Sequence, residues 1–147
     1  MATYSALTKS PGVKVMAGKD VYVTQVVIDA NVAGNVLDST GAVSTAKLAI
    51  GDVLSMIDVP ANTMLVGANL QVNRAPVGFT GPTLTLNIGS AALTAAITPV
   101  DNTDFPMTLG ASTAVRAISA ASLTVGATSG TATDNGKYTL TLALAQI

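Results

Sequence analysis

Apolar and polar residues alternate with a period of two along most of this chain, which is the pattern of half-buried β-strands. Strands are predicted where β-branched residues and leucines alternate with threonine, serine or other polar residues. The segments with this pattern are residues 21–29, 52–59, 63–72, 83–88, 91–98, 122–125 and 137–144. Residues 111–121 also fit three turns of a helix, but we interpret them as a strand.

The last of these segments has the most regular alternation. Its apolar residues, which we expect to face inward, are Tyr138, Leu140, Leu142 and Leu144. We expect Thr139 and Thr141 to face outward, because successive side chains of a strand point to opposite faces of a sheet. Met56 and Met64, on either side of Pro60, are expected to fill gaps in the core.

Turn signals separate the predicted strands. Pro60-Ala-Asn62 predicts a turn with Asn62 in the left-handed region, and Asp134-Asn-Gly136 predicts a hairpin turn in which Asn135 and Gly136 both take positive φ. Residues 74–82 and 99–106 contain several Pro, Gly and Asp residues and are predicted to be loops. Short strands separated by such turns predict an all-β fold, an antiparallel β-sandwich or jelly-roll-like domain over residues 21–147.

Residues 1–20 differ from the rest of the chain. They contain Lys9, Lys14 and Lys19, have no acidic residue before Asp20, and are interrupted by Pro11-Gly12. Two interpretations are open: a solvated terminus, or an extended N-terminal arm that docks on a neighbouring subunit through its lysines.

The missing residue types exclude most chemistry. The chain contains no His, Cys, Glu or Trp, which supply most proton shuttles, thiolate nucleophiles and zinc ligands. We therefore expect no enzyme, no cofactor and no metal site. Asp101 and Asp104 share one loop and offer oxygen ligands for calcium, but a solvated turn whose side chains cap their own backbone is the favoured interpretation.

Charge is low and nearly balanced. Seven basic and eight acidic residues give a formal net charge of −1, and charged residues make up 10% of the chain. No dense basic stripe is present, so we expect no nucleic-acid partner, and little repulsion opposes self-association into a dimer or trimer. Arg74 and Arg116 lie in apolar surroundings and suit either an inter-subunit ion pair or a solvated edge position.

The longest uncharged run, residues 75–100, is broken by several Pro and Gly residues. A helix that spans a membrane needs an unbroken apolar stretch. We therefore expect no membrane partner.

Part of the chain resembles the small virion proteins of tailed bacteriophages. The resemblance begins with Gly51-Asp52 and an apolar strand, continues through the turn Val59-Pro-Ala-Asn-Thr63, and includes a second apolar strand that ends at Val72. A Thr-rich strand ending in Gly89 and the C-terminal strand from Lys137 complete it. Such relatives often have an Asp-Gly-rich stretch where this chain has Ser90-Ala-Ala-Leu-Thr94, and the first fifty or so residues have no counterpart.

The resemblance implies a head decoration, or cement, protein. Proteins of this type are structural β-sandwiches that bind in many copies across the joints between major capsid subunits, on the outside of a virion assembled in the host cytoplasm. Two alternatives share the same composition: a tail or fibre component of a phage, and a glycan- or receptor-binding β module. The absence of Trp and of an aromatic cluster counts against the glycan-binding module.

Overall fold

Strands make up all the regular secondary structure in the part of the chain that the structure describes. It is a computed structural model and describes residues 3–6, 13–14, 21–32, 35–37, 40, 42, 47–89, 91–107 and 114–146. The strands, in chain order, are β1 Thr3–Ala6, β2 Val13–Lys14, β3 Val21–Asp29, β4 Val36–Leu37, β5 Val53–Val59, β6 Thr63–Arg74, β7 Val77–Thr80, β8 Thr83–Ile88, β9 Ala91–Ala92, β10 Thr103–Met107, β11 Ala114–Val115, β12 Ser119–Gly126, β13 Ser129–Asp134 and β14 Lys137–Gln146. Within these ranges no helix is long and apolar enough to cross a membrane.

The strands form two large sheets and a two-stranded ribbon. Sheet A has the order β4-β1-β5-β12-β8-β9, sheet B has the order β10-β6-β14-β3-β2 with β11 also paired to β6, and the ribbon pairs β13 with β7. The pairings are antiparallel except that β1 runs parallel to β5. The prediction of an all-β, mainly antiparallel sandwich is confirmed.

The core lies between the apolar faces of the two sheets. Period-two alternation aims one set of side chains from each sheet inward, where burial stabilises each large apolar side chain by about 1.5–3 kcal/mol. The largest fully buried side chains are Tyr138, Leu54, Met56, Ile57, Leu65, Leu70, Leu84, Leu86, Leu123, Leu140, Leu142 and Leu144. The four residues of β14 that were predicted to face inward are all in this set.

Two predicted loops contain strands. Residues 74–82 include β7, which pairs with β13. The two strands can approach closely because Gly78 and Gly130 have no Cβ. A Cβ at either position would overlap backbone atoms of the partner strand. Residues 99–106 include the start of β10, which pairs with β6. Pro106 is tolerated there because β10 lies at the edge of sheet B and a missing N–H is harmless on an edge.

Other boundaries also differ from the prediction. Of residues 91–98, only Ala91–Ala92 are a strand. The described part of residues 111–121 contains β11 and the start of β12 rather than one strand. In the turn of residues 60–62, Asn62 has a φ of 54°, as predicted.

The Asp134-Asn-Gly136 turn is not a hairpin. It joins β13 of the ribbon to β14 of sheet B, which are not paired with each other. Gly136 has a φ of 88°, but Asn135 is not among the residues with positive φ, because its side chain is fixed by hydrogen bonds inside the protein.

Exposure to solvent differs from the expected value at two positions, although Thr139 does face outward as predicted, opposite Val27 of β3. Thr139 is buried rather than exposed, and its hydroxyl donates to Asn73 Oδ1 at 2.9 Å. Met64 is 41% exposed rather than part of the core, because its strand neighbour Leu65 fills the inward position.

Two parts of the predicted arm are strands of the chain's own sheets. Thr3–Ala6 lies between β4 and β5, and Val13–Lys14 pairs with β3. The other residues of segment 1–20 are outside the described ranges, so an arm that docks on a neighbouring subunit stays a prediction.

Candidate interaction surfaces

The five residues predicted to make interactions do not form one site. Lys9 and Lys19 lie outside the described residues, and Lys14 belongs to β2, at the edge of sheet B. Arg74 and Arg116 lie in different surroundings, one paired within the chain and the other exposed.

Arg74 ends β6 and forms ion pairs within the chain. Its Nη2 atom lies 2.8 Å from Asp29 Oδ1, at the end of β3, and its Nε atom lies 3.0 Å from Asp134 Oδ2, at the end of β13. Hydrogen bonds that the guanidinium donates to Asp29 and then to Asp134 hold the pKa of Arg74 above its ordinary value. These contacts fasten three strand ends together, so the arginine has a structural role in this chain.

Asp134 accepts several hydrogen bonds at this corner. Burial raises its pKa, but the Gly136 N–H, the Asn31 amide and Arg74 favour the charged carboxylate more strongly, so its pKa lies below the ordinary value. The low pKa belongs to an anion held in place, and such a carboxylate is a poor proton donor at neutral pH.

Asn135 completes this corner by joining separate segments. Its side chain accepts a hydrogen bond from the Leu48 N–H at 3.0 Å and donates to the Ala30 carbonyl at 3.1 Å. Its own carbonyl accepts from the Tyr138 hydroxyl at 2.7 Å. Burial raises the pKa of Tyr138 well above its ordinary value. We call Asp29, Asn31, Arg74, Asp134 and Asn135 the corner cluster; its polar groups bind one another and serve the fold.

Arg116 is exposed beside a shallow groove of about 260 Å³ between the ends of sheets A and B. It forms no ion pair within the described ranges. The groove is lined by Ile88, Ala91, Leu93, Ala114, Val115, Arg116 and Ser119. A single cation beside small apolar residues offers no acid, base or nucleophile.

Asp101 is used by the backbone. Its Oδ1 atom accepts a hydrogen bond from the Ala75 N–H at 2.6 Å, and its carbonyl accepts one from the Thr103 hydroxyl at 3.1 Å. In the described part of the chain no three metal-ligating side chains come together. Thr103 thus caps the backbone of its own loop, whereas the Asp101 side chain binds the backbone of a different segment.

The outer face of sheet B was not predicted to be a site. We call it the valine face and define it by Val23, Gln25, Val27, Met64, Val66, Thr141 and Ala143. Val23 and Val27 of β3, with Met64 and Val66 of β6, are large hydrophobic side chains exposed to solvent. The sequence of β3 indicates such a face, because valines occupy both its odd-numbered and its even-numbered positions. Successive side chains of a strand point to opposite faces, so when one set of valines is buried the other set lies on the outer face.

The outer face of sheet A is different. We call it the hydroxyl face and define it by Ser55, Thr83, Thr85, Asn87, Ser122 and Thr124. Ser55 and Ser122 are buried and the other four are half-buried, and Val53 lies on the same face opposite Thr124. Asn87 donates through its side-chain amide to the Thr124 hydroxyl of the neighbouring strand. None of the large hydrophobic side chains that are exposed in the described residues lies on this face.

The fold matches chains in three solved phage capsid structures along nearly their whole length. In the capsid of Ralstonia phage GP4, the matched chain is 22% identical, with a TM-score of 0.60 over 99% of both chains. In the Cyanophage Pam1 capsid asymmetric unit, the values are 21% identity and 0.56, over 95% of this chain and 98% of that one. The chain has a fold found in phage capsids.

A more distant match is to the acidic stable capsid structure of Helicobacter pylori bacteriophage KHP30. It is 13% identical, with a TM-score of 0.52 over 94% of this chain and 93% of that one. No protein-family model matches the sequence. No curated protein matches it either. At these identities the likeness is one of fold.

Proposed function

We propose that this chain is a structural protein of a phage virion and decorates the head, where it binds across the joints between major capsid subunits. The observation that carries the proposal is the end-to-end match, 99% of both chains, to a chain of a phage capsid structure. Since both chains are covered almost completely, the likeness extends over the whole fold and not over one segment of it.

The architecture is suited to joining neighbours. Two sheets packed on a continuous core make a stiff body, and β-branched side chains on its surface lose little rotamer entropy when they are covered. Contacts of moderate strength suffice, because many copies on one lattice raise the effective affinity.

Charge favours the outer side of the shell. A protein facing packaged DNA would need lysines and arginines that neutralise phosphates, whereas this chain has seven such residues against eight acidic ones. We place the protein on the capsid exterior, after assembly in the host cytoplasm, and we do not assign it enzymatic activity.

The N-terminal lysines are the proposed contacts to the shell. Deleting residues 1–18 would test them poorly, because the deletion also removes β1 and β2 from their sheets. Replacing Lys9, Lys14 and Lys19 with Gln preserves the chain and removes only charge. Lys47→Gln is the matched control, since Lys47 is an exposed lysine outside this segment.

The test is to incubate purified protein with undecorated heads and to image the lattice. We expect ordered density at repeated positions on the outer shell, and heads that resist heating better than bare heads do. The triple lysine variant should reduce occupancy, and Lys47→Gln should not. Density confined to the tail, or saturable binding to a glycan with bare heads left unbound, would contradict the proposal.

A further inference from the structure

The valine face exposes more apolar surface than a solitary subunit requires. Val23, Ala143 and Gly67 lie side by side in one cross-strand row, and Ala145 and Met64 lie in the next. Val66 lies in the bulge of β6 beside this row and is 52% exposed. Contiguous apolar patches of this kind mark interaction sites on soluble proteins.

Two pairs of polar groups on and beside this face are already hydrogen-bonded. The Gln25 side-chain amide donates to the Thr141 hydroxyl at 2.9 Å, across the β3–β14 pair. The Thr139 hydroxyl donates to Asn73 at 2.9 Å. Covering a polar group that keeps its partner costs much less than covering one that has lost its partner to water, so these two pairs can be buried at little cost.

The size of the face agrees with a stable interface. The strands β10, β6, β14 and β3 have 5, 12, 10 and 9 residues. At about 3.4 Å per residue and about 4.8 Å between strands they give roughly 590 Å². A standard interface takes about 800 Å² from each partner, with a spread of roughly 200 Å², so this face lies at the lower end of that size class.

The shape and charge of the face indicate the occupant. None of the seven residues that define it is charged. Asp104 is on the same side of sheet B, opposite Gln71, but belongs to the edge strand β10, so a second copy meets no like-charge repulsion at the centre of the face. The small residues Ala143 and Gly67 lie between Val23 and Val66, so another sheet can approach the backbone closely there. We infer that a second copy of this chain packs its own valine face here, related by a two-fold axis, because a surface that packs on itself is isologous.

Two sheets joined in this way pack face to face about 10 Å apart, as the sheets of a sandwich do. The inference is independent of the proposed function, because it concerns self-association and not the capsid.

The test is the oligomeric state of the purified chain, measured by sedimentation equilibrium from nanomolar to hundred-micromolar concentration. Wild type should be a dimer at the upper end of this range. Val66→Lys places a charge in the middle of the interface and should weaken dimerisation about a hundredfold or more. Val100→Lys is the matched control, because Val100 is 53% exposed but lies in a loop away from this face, and it should dimerise like wild type.

Val23→Lys, on the neighbouring strand, is a second variant in case Val66→Lys does not fold, and circular dichroism checks both. A monomeric wild type overturns the inference, and so does a folded Val66→Lys or Val23→Lys that dimerises like wild type. If wild type is a monomer and these variants lose only head binding, the face contacts the shell and the second copy is ruled out. A dimer that fails to bind heads leaves the inference standing and overturns the proposed function.

Discussion

The outer faces of the two sheets cover the same core but differ in composition. The hydroxyl face of sheet A carries Ser, Thr and Asn side chains, whereas the valine face of sheet B carries exposed valines and a methionine. Of the large apolar side chains exposed on these two faces in the described residues, all lie on sheet B. This difference in exposure is what the inferred second copy would remove by covering the valine face.

The outer faces can be compared in this way only if the two sheets contribute equally to the core. Leu86 of sheet A and Leu140 of sheet B are both fully buried. We expect Leu86→Ala and Leu140→Ala each to lower the free energy of unfolding by about 2–5 kcal/mol, from lost apolar contact and the cavity left behind. Denaturant unfolding measures the loss of stability in both variants. The protein concentration is kept the same throughout, because dimerisation makes the apparent free energy of unfolding depend on concentration.

Val100→Ala is the control for that pair, with an expected change within about 0.5 kcal/mol because the side chain is exposed. A loss below about 1 kcal/mol for only one of the two leucines would show that the sheets are not equivalent and would weaken the comparison of their outer faces.

A charge placed on each outer face tests the difference directly. Val27, which is 56% exposed on the valine face, and Thr85 of the hydroxyl face are both replaced with Lys. We expect Val27→Lys to weaken self-association at least about tenfold, equivalent to about 1.4 kcal/mol, and Thr85→Lys to leave it unchanged. Sedimentation equilibrium measures both, and equal effects of the two lysines would remove the distinction between the faces.

Three charged groups meet where sheet B ends, at the corner cluster, and acid should act there. The pKa of Asp134 is lowered in the folded chain, so its stabilising contribution is present at neutral pH. That contribution is lost as pH falls from the ordinary carboxyl range through the lower pKa of the folded state. Arg74, whose pKa is raised, stays charged throughout this range.

We expect Asp134→Asn to lower stability at neutral pH by about 1–3 kcal/mol, because charged hydrogen bonds at the corner are lost. The difference from wild type should shrink as the pH falls, and unfolding curves at a series of pH values measure it. Asp104→Asn, on the exposed edge strand β10, is the control. Self-association should vary little over the same pH range, since no ionisable group defines the valine face; strong pH dependence would contradict an apolar interface.

The smallest effect is expected from removing the one polar pair of the valine face. In the double variant Gln25→Leu with Thr141→Val, both partners of the hydrogen bond become apolar, which is nearly neutral when neither is left unpaired. We expect the free energy of unfolding to change by less than about 0.5 kcal/mol and self-association to be equal or tighter. Weaker self-association would show that this pair makes specific contacts across the interface.

Local sequence pattern predicted the strands whose alternation is regular. In β14 the inward residues could be read directly, because a period of two separates the faces wherever only one of them is apolar. In β3, with valines on both faces, the strand was predicted but not which face is buried. The positive φ of Asn62 was predictable for a similar local reason, since Asn after Pro-Ala tolerates the left-handed region.

The candidate surfaces depended on strands far apart in sequence. Val23 and Val66 come together only because β14, from the other end of the chain, pairs with β3 on one side and with β6 on the other. Arg74 was read as a possible contact to a neighbour, yet two carboxylates from distant strand ends bind it within the chain. The ribbon was missed because its strands contain the glycines that normally mark a loop.

The sequence by itself determined an all-β fold and a chain without the usual groups for catalysis, because alternation and residue type are local properties. The tertiary structure alone decided which outer face is apolar, where the few charges are paired, and which turn joins two sheets instead of closing a hairpin. These outcomes depend on strand order and register, which are set by the summed burial of residues from the whole chain and not by any one segment.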